Sequence, residues 1–207
     1  MSKEKKIKNI VFDMGFVLID FRWREYMADL GFSKEETEFL GEKMVMSDFW
    51  HALDAGYEEQ SEGAAHFKKL YPEYAEKIDA FWSNLTDIAR EYPYSEGLVR
   101  SLKEQGFNVY LLSNYPKEMA EDHWGKAGCV KLVDGYIISA LEHITKPDPR
   151  IYHRLEAKFG IDLSESVFID DREDNCEAAK KEGMEAIQFV GLSELKESFL
   201  QYDIRIS

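Results

Sequence analysis

Five short apolar runs, with stretches of helical spacing between them, constrain the fold of this chain more than any other feature. The runs cover residues 10–12, 109–112, 136–138, 167–169 and 186–190. Strands that are buried on both faces read as continuous apolar runs, and parallel neighbours need helical crossovers between them. The pattern therefore predicts an α/β fold, a doubly wound parallel sheet with helices on both faces.

Capping residues mark the ends of several predicted helices in this α/β part of the chain. Ser95 is predicted to cap a helix that ends before Gly106. Asp148 followed by Pro149 is typical of a cap and a first-turn proline, and Gly160 is predicted to end that helix. These signals support the helical crossovers that a parallel sheet requires.

The segment 21–90, between the first and second runs, has a different composition. It is rich in Glu, Lys and aromatic residues with helical spacing, and it shows no strand pattern. Ser33 followed three residues later by Glu36 forms a capping-box pattern, which predicts the start of a helix. Further helices are predicted over residues 44–53, 58–70 and 73–90.

This helical segment is predicted to be a cap inserted into an α/β core. The core would comprise residues 1–20 and 91–207, and the cap residues 21–90. The first strand points its carboxyl end at the insertion, so we expect the cap to roof that end of the sheet. Open α/β sheets bind their ligands there.

Composition narrows the classes of function and compartment. With 207 residues, 44% of them hydrophobic and 32% charged, the chain has the composition of an ordinary globular protein. A net charge of −14 opposes binding to nucleic acid or to anionic membranes, because their phosphates would be repelled. Cys129 and Cys176 form no metal-like or redox-like pair, which is typical of a reducing compartment. We expect a cytoplasmic protein, either a monomer or a homodimer.

Three of the apolar runs end in polar residues, and the carboxyl ends of parallel strands meet at one edge of a sheet. These residues are Asp13 after the first run, Ser113 and Asn114 after the second, and Asp170 and Asp171 after the fourth. One such ending is typical of a turn or a cap. Three on one edge, with Lys146 in the loop after the third run, favour a functional site, because a buried carboxylate is costly without a partner.

Together these residues supply what phosphoryl transfer to a carboxylate requires. An aspartate such as Asp13 can attack phosphorus and split hydrolysis into two easier steps. Carboxylates that face one another repel, and Mg²⁺ is the cation that suits oxygen ligands. The Ser113 hydroxyl and a backbone donor at Asn114 would hold phosphate oxygens, and Lys146 would offset the developing charge. Lys146 is also the local positive charge that an anionic substrate needs in so acidic a protein.

Four motifs, in this order along the chain, resemble those of the haloacid dehalogenase (HAD) superfamily. They are residues 11–18, 111–114, 146–148 and 167–171, the last followed by Asn175, Ala178 and Ala179. The resemblance implies a Rossmann-like core. The segment 21–90 resembles the helical cap that one large subgroup inserts after its first strand.

The resemblance also implies roles for individual residues. Asp13 would be the nucleophile and a metal ligand, with the backbone carbonyl of Gly15 as a second ligand. Asp171 would be the second metal carboxylate, with Asp170 and Asn175 orienting metal-bound water. Ser113 and Lys146 would bind the phosphoryl group.

Gly15 departs from the pattern of most phosphatases in the superfamily. They carry a second Asp at this position, which protonates the leaving oxygen and then activates water. The pattern Asp-x-Gly-x-Val with Asp20 resembles a subgroup that includes phosphatases of α-glucose-1-phosphate. Asp20, a cap residue or water are the candidates for the missing role.

Some cap residues have two interpretations. Trp50, Asp54 and Tyr57 fall where resembling proteins keep substrate-facing residues. Equally, Trp50 would be a core aromatic, and Asp54 would simply end a helix. Met44 and Met46 are predicted to fill the core.

The sequence therefore predicts a Mg²⁺-dependent phosphatase of a small phosphorylated metabolite, in particular a sugar phosphate. Three alternatives stay open: a protein that binds phosphate without turnover, a haloacid dehalogenase and a sugar-phosphate mutase. The paired carboxylates Asp170 and Asp171 argue against a dehalogenase, which needs no metal. Gly15 argues against a mutase, which depends on an acid/base at that position.

Overall fold

Seven strands and eleven α-helices make up the fold in the computed structural model, which describes residues 6–206. Residues 1–5 and 207, which fall inside the predicted core boundaries, lie outside the described part. The strands are β1 (Asn9–Phe12), β2 (Ile19–Phe21), β3 (Ala89–Glu91), β4 (Asn108–Ser113), β5 (Gly135–Ile138), β6 (Ser166–Asp170) and β7 (Glu185–Gln188). Five of them form a parallel sheet in the order β5-β4-β1-β6-β7. This confirms the predicted α/β class and all five predicted strands.

The helices divide into a group before β3 and a group after it. The first group is α1 (Trp23–Asp29), α2 (Lys34–Met44), α3 (Asp48–Asp54), α4 (Gly63–Leu70) and α5 (Ala75–Ser83). The second group is α6 (Ser95–Glu104), α7 (Lys117–Lys126), α8 (Ser139–Glu142), α9 (Pro149–Phe159), α10 (Glu173–Lys181) and α11 (Leu192–Phe199). The second group supplies the crossovers between the parallel strands.

Side chains on the two faces of the sheet belong to two separate apolar clusters. Ile10 and Phe12 of β1 join a cluster that includes buried residues of α6, α7, α11 and the first helical group. Val11, between them, joins a second cluster with Ile151 and Leu155 of α9. Successive strand residues point to opposite faces, so a strand buried on both faces must be apolar throughout.

The predicted helix signals are confirmed at α9, whereas at α6 the end before Gly106 is confirmed and the cap at Ser95 is wrong. The Asp148 carboxylate accepts from the Arg150 N–H, Pro149 opens the helix, and Gly160 ends it at φ +66°. Ser95 does not cap α6, because it is the first helical residue and its buried hydroxyl donates to the carbonyl of Leu18. This hydrogen bond instead connects the start of α6 to the segment that follows β1.

The segment between β2 and β3 is mostly helical, and three predictions about it need correction. The capping box at Ser33 is confirmed. The predicted helix over 44–53 is interrupted at Ser47, whose hydroxyl accepts from the N–H of Trp50 and starts α3. The helix over 73–90 is wrong beyond Ser83, because Asn84 is extended and its side chain caps a short 3₁₀ turn instead.

The predicted absence of strands in this segment is also wrong, because β3 lies within it. β2 and β3 pair antiparallel, with Ile19 opposite Glu91 and Phe21 opposite Ala89. The ribbon brings both ends of the helical segment together beside the carboxyl end of β1. We therefore keep as a proposal the division into a core of 1–20 and 91–207 and a cap of 21–90. Across residues 6–206 the helices are too short or too polar for one to cross a membrane.

Candidate active site

A cavity of about 290 Å³ lies between the carboxyl ends of the strands and the helices α1 to α3. Six of the residues predicted for the site line its floor: Asp13, Gly15, Ser113, Asn114, Lys146 and Asp171. Trp50 and Asp54 line the cavity from the helical side. Arg172 lines it from the loop after β6. The fold therefore brings together most of the residues that the sequence separates by up to 158 positions.

Asp13 follows the last residue of β1 and is largely buried. Its N–H donates to the carbonyl of Ile169 at 2.8 Å, which continues the sheet bonding and fixes the direction of the side chain. Its Oδ1 accepts from the N–H of Met14 at 2.7 Å and lies 3.0 Å from Lys146 Nζ. Burial raises the pKa of Asp13 to about 7; the Asp170 charge adds to the rise, and the Lys146 ammonium opposes it.

Lys146 is a buried cation between two carboxylates. Its Nζ lies 2.6 Å from Asp170 Oδ2 and 3.0 Å from Asp13 Oδ1, and it also donates to the carbonyl of Leu112 at 3.0 Å. Burial opposes its charge, but the two carboxylates outweigh burial and raise the pKa of Lys146. Lys146 is therefore held protonated between the two carboxylates.

Asn114 holds the backbone of Lys146 in place. Its side-chain oxygen accepts from the Lys146 N–H at 2.8 Å, and its amide nitrogen donates to the Lys146 carbonyl at 3.0 Å. The Asn114 side chain is thus occupied in positioning the lysine. A contact from Asn114 to phosphate, predicted through its backbone, stays a prediction. Ser113 is buried at the end of β4, and its hydroxyl acts to lower the pKa of Asp13.

Three carboxylates meet at the floor and offer oxygen atoms within 4.8 Å of one another: Asp13, Asp170 and Asp171. Asp170 is fully buried, and both of its oxygens already accept hydrogen bonds. The donors are Lys146 Nζ, the Asn175 amide at 3.0 and 3.1 Å, and the Arg172 N–H at 2.9 Å. Four such bonds use the acceptor capacity of a carboxylate. Asp170 is therefore placed to orient its neighbours, which leaves Asp13 and Asp171 to face an ion.

The donor set fits a hard cation such as Mg²⁺. Asp171 is partly buried, and burial and then the Asp170 charge raise its pKa. The side-chain oxygen of Asn175 is buried beside them without a hydrogen-bond partner among the described residues. An unpaired buried oxygen next to mutually repelling carboxylates is what a bound cation, directly or through its water, would satisfy.

Asp54 is the last residue of α3 and lines the roof of the cavity. Burial raises its pKa to about 8; the Asp13 charge adds to the rise, and Lys146 opposes it. The sequence left two interpretations of Asp54, a residue that ends a helix and a residue that faces the substrate. Both are compatible with the structure, because Asp54 ends α3 and also lines the cavity.

The rest of the roof is largely apolar. It is lined by Phe16, Phe21, Trp23, Val45, Met46, Trp50, Tyr115, Pro116 and Met119. Trp50 is likewise both buried and cavity-lining, and its ring lies 5.7 Å from Phe21 and 5.9 Å from Trp82. Met44 fills the core as predicted, but Met46 does not: it is 57% exposed and lines the cavity, because α2 ends between them.

Two candidate residues lie outside the cavity lining: Tyr57, a candidate for substrate contact, and Asp20, a candidate for the missing acid/base role and for substrate contact. Tyr57 is 70% exposed, and its hydroxyl donates to the carbonyl of His143 at 3.3 Å. Asp20 lies on β2 opposite Arg90. Sequence reasoning missed Ser139, whose hydroxyl donates to the Asp54 carbonyl and accepts from the Tyr115 N–H. The signal was present, since Ser139 follows the third apolar run as Ser113 follows the second.

A doubly wound sheet that gathers an aspartate, a buried lysine and a cluster of carboxylates under inserted helices is typical of a class of hydrolases. The family model described as haloacid dehalogenase-like hydrolase matches residues 7–183. The chain belongs to that family.

Similar proteins extend over nearly the whole chain. The sesquiterpene phosphatase astK of Aspergillus oryzae is 29% identical over 181 residues, covering 86% of this chain and 87% of the relative. The D-ribitol-5-phosphate phosphatase of Bacteroides thetaiotaomicron is 28% identical over 198 residues, covering 88% and 91%. A solved HAD family enzyme from the same bacterium, in a magnesium complex, has a TM-score of 0.70 at 25% identity, covering 92% of this chain and 98% of its own.

Proposed function

We propose that this protein is a Mg²⁺-dependent phosphatase that hydrolyses a small phosphate monoester through a phosphorylated Asp13. The observation that carries the proposal is the placement of Asp13 on the cavity floor, beside a buried Lys146 and within the carboxylate cluster. That floor combines a nucleophile with positive charge where a phosphoryl group would sit. The two phosphatase relatives support the same reaction, as does the magnesium complex of the similar structure.

The chain's own residues support each part of the reaction. Asp13 is held by its backbone bond to Ile169, so that its carboxylate faces the cavity for attack on phosphorus. The Lys146 ammonium and the Ser113 hydroxyl lie beside it and would bind phosphoryl oxygens. Asp13, the Gly15 carbonyl and Asp171 would hold Mg²⁺, with Asp170 and Asn175 orienting it. When bound, the ion neutralises charge on the phosphoryl group.

The organic part of the substrate would lie against the roof. The sequence favours a sugar phosphate, and the ribitol-5-phosphate relative supports a polyol. The aromatic and aliphatic roof, with Phe16, Met46 and Trp50, instead favours an apolar group, as does the sesquiterpene phosphatase relative. Both substrate classes share the phosphate monoester, so both belong in a test.

The remaining alternatives have less support. A dehalogenase has no use for the cluster of Asp13, Asp170 and Asp171, and a mutase would need a side chain at Gly15. A protein that only senses phosphate would not need the nucleophile held in place. We also propose, on the sequence alone, that the protein is cytoplasmic and acts as a monomer or homodimer.

The test is release of inorganic phosphate from p-nitrophenyl phosphate, ribitol 5-phosphate, α-glucose-1-phosphate and a terpenyl monophosphate, with and without Mg²⁺. Turnover should require Mg²⁺ and be abolished in Asp13→Asn, while Asp48→Asn, an exposed carboxylate on α3, should retain it. Phosphate binding without turnover of any ester would favour the sensor. Halide release without metal would favour the dehalogenase.

A further inference from the structure

Gly15 leaves the cavity floor without a side chain where proton transfer to the leaving group is needed. Among the described residues that line the cavity, three are carboxylates: Asp13, Asp54 and Asp171. Asp13 and Asp171 belong to the nucleophile and cation cluster. Asp54 stands apart from that cluster, on the helical side of the cavity, opposite the phosphoryl-binding floor.

The end of α3 that carries Asp54 is docked on the core through its backbone. The Ser139 hydroxyl donates to the Asp54 carbonyl, and His143 Nδ1 lies 3.1 Å from the Ala55 carbonyl. Gly56 has φ +72°, and a Cβ there would overlap the carbonyl oxygen of Ala140. Only glycine permits so close an approach in this conformation. The backbone is thus fixed beside the site, which leaves the carboxyl group free for another role.

The Asp54 carboxyl group lines the cavity, is partly buried, and makes no hydrogen bond or ion pair with any residue in 6–206. A residue that only ends a helix has no need to line the ligand cavity, as Asp54 does. Its raised pKa, about 8, keeps it protonated near neutrality, as a proton donor requires. An unpaired, partly buried carboxyl group that lines a ligand cavity opposite the nucleophile is a candidate for acid/base chemistry.

We propose that Asp54 is the general acid and base of this phosphatase, supplied by the helical segment in place of the side chain that Gly15 lacks. The inference rests on the proposed function. As the Asp13 carboxylate forms its bond to phosphorus, the ester P–O bond breaks, and the leaving oxygen takes the proton of Asp54. The Asp54 carboxylate then takes a proton from a water molecule as the oxygen of that water attacks phosphorus. The Asp13–phosphate bond breaks, and inorganic phosphate and free Asp13 result.

Leaving-group dependence tests this role. A nitrophenolate leaves without protonation, whereas an alkoxide does not. In Asp54→Asn, single-turnover release of alcohol from an alkyl phosphate should fall by about 10²- to 10⁴-fold. The first release of p-nitrophenol from p-nitrophenyl phosphate should change less than about tenfold, with a slower second step because water is no longer activated. Asp48→Asn, on the same helix but exposed, should resemble the native protein with both esters.

Two outcomes would overturn the assignment: an equal loss for both esters in a folded Asp54→Asn protein, or no loss for either. Thermal melting shows whether Asp54→Asn is folded. If Asp54→Asn does not fold, Asp54→Glu replaces it as the test: this variant keeps the acid and should retain part of the activity on the alkyl phosphate. If the native protein hydrolyses no ester in an Asp13-dependent way, the proposed function itself fails, and this inference fails with it.

Discussion

At the scale of single residues, the site depends on one buried cation. Lys146 separates Asp13 from Asp170, with nitrogen–oxygen distances of 3.0 and 2.6 Å. Removing one partner from a buried ion network leaves charge uncompensated, which costs about 3–5 kcal/mol. We predict that Lys146→Met lowers the free energy of unfolding by that order at pH 7 without Mg²⁺, measured by urea denaturation.

The matched control is Lys158→Met. Lys158 is half-exposed and lies 3.8 Å from Glu142, so its pair is largely screened by water. Its loss should change stability by less than about 1 kcal/mol. Equal effects of the two substitutions would contradict the central role of Lys146.

Asp54 predicts a pH dependence of stability. Its pKa is about 8 in the folded protein against 3.8 for an ordinary Asp, so the unfolded chain releases this proton more readily. The contribution of Asp54 to the free energy of unfolding is therefore largest below pH 4, falls as the pH rises to about 8, and is constant above that. Asp54→Asn should be as stable as the native protein at pH 4 and progressively more stable above it, by at most about 1.4 kcal/mol per pH unit. Thermal melts of both proteins without Mg²⁺ across pH 4–9 would measure this; parallel curves would contradict it.

Gly15 offers a complementary prediction about the same proton. A Cβ at this position meets no atom within 4 Å. A side chain therefore fits there without displacing the floor. In the Asp54→Asn background, Gly15→Asp should raise alkyl phosphate turnover at least about tenfold, since it returns a proton donor. Gly15→Asn in the same background has the same shape without the acid and should give no such gain.

At the scale of elements, the contact between α3 and α8 fixes the roof to the floor. Gly56 makes that contact, and the carbonyl oxygen of Ala140 occupies the space that a Cβ at residue 56 would need. Gly56→Ala should therefore lower the free energy of unfolding by about 1–3 kcal/mol and reduce turnover, because the end of α3 must move away.

Gly31→Ala separates backbone strain from the loss of close contact. Gly31 has a similar φ of +79°, but a Cβ there meets nothing within 4 Å. It should lose about 1 kcal/mol of stability from strain and keep full turnover. Thermal melting and phosphate release on both variants make the comparison; equal turnover would show that the position of α3 is unimportant.

Element boundaries show where sequence reasoning reached its limit. The capping box at Ser33 and the cap at Asp148 were predictable, because their partners lie within three residues along the chain. Strand β3 was not, because three residues of mixed polarity become a strand only by pairing with β2, some 70 residues earlier. The predicted cap at Ser95 was wrong for the same reason, because the Ser95 hydroxyl donates to the carbonyl of Leu18, which is distant along the chain.

At the scale of the whole molecule, the net charge of −14 and the carboxylate cluster predict that Mg²⁺ stabilises the fold. An ion that binds only the folded state adds about 2.7 kcal/mol at one hundred times its Kd. We predict that Mg²⁺ raises the melting temperature of the native protein and of Glu173→Gln, whose exposed carboxylate lies two residues after Asp171 at the start of α10. Asp171→Asn should lose most of that rise. An equal rise in all three proteins would indicate that Mg²⁺ binds elsewhere.

The sequence by itself determined the α/β class, the strands of the sheet and the residues at their carboxyl ends. Period and polarity carry that information locally, and parallel strands bring their ends together whatever the loops do. Tertiary structure alone decided that Asp170 is saturated by four hydrogen bonds, that Met46 faces the cavity, and that Asp54 is unpaired above Asp13. The bonds to Asp170 depend on how Lys146, Arg172 and Asn175 of the core converge on it. The positions of Met46 and Asp54 depend on how the helical segment docks on the sheet, through contacts such as Ser139 to Asp54 that join residues 85 positions apart.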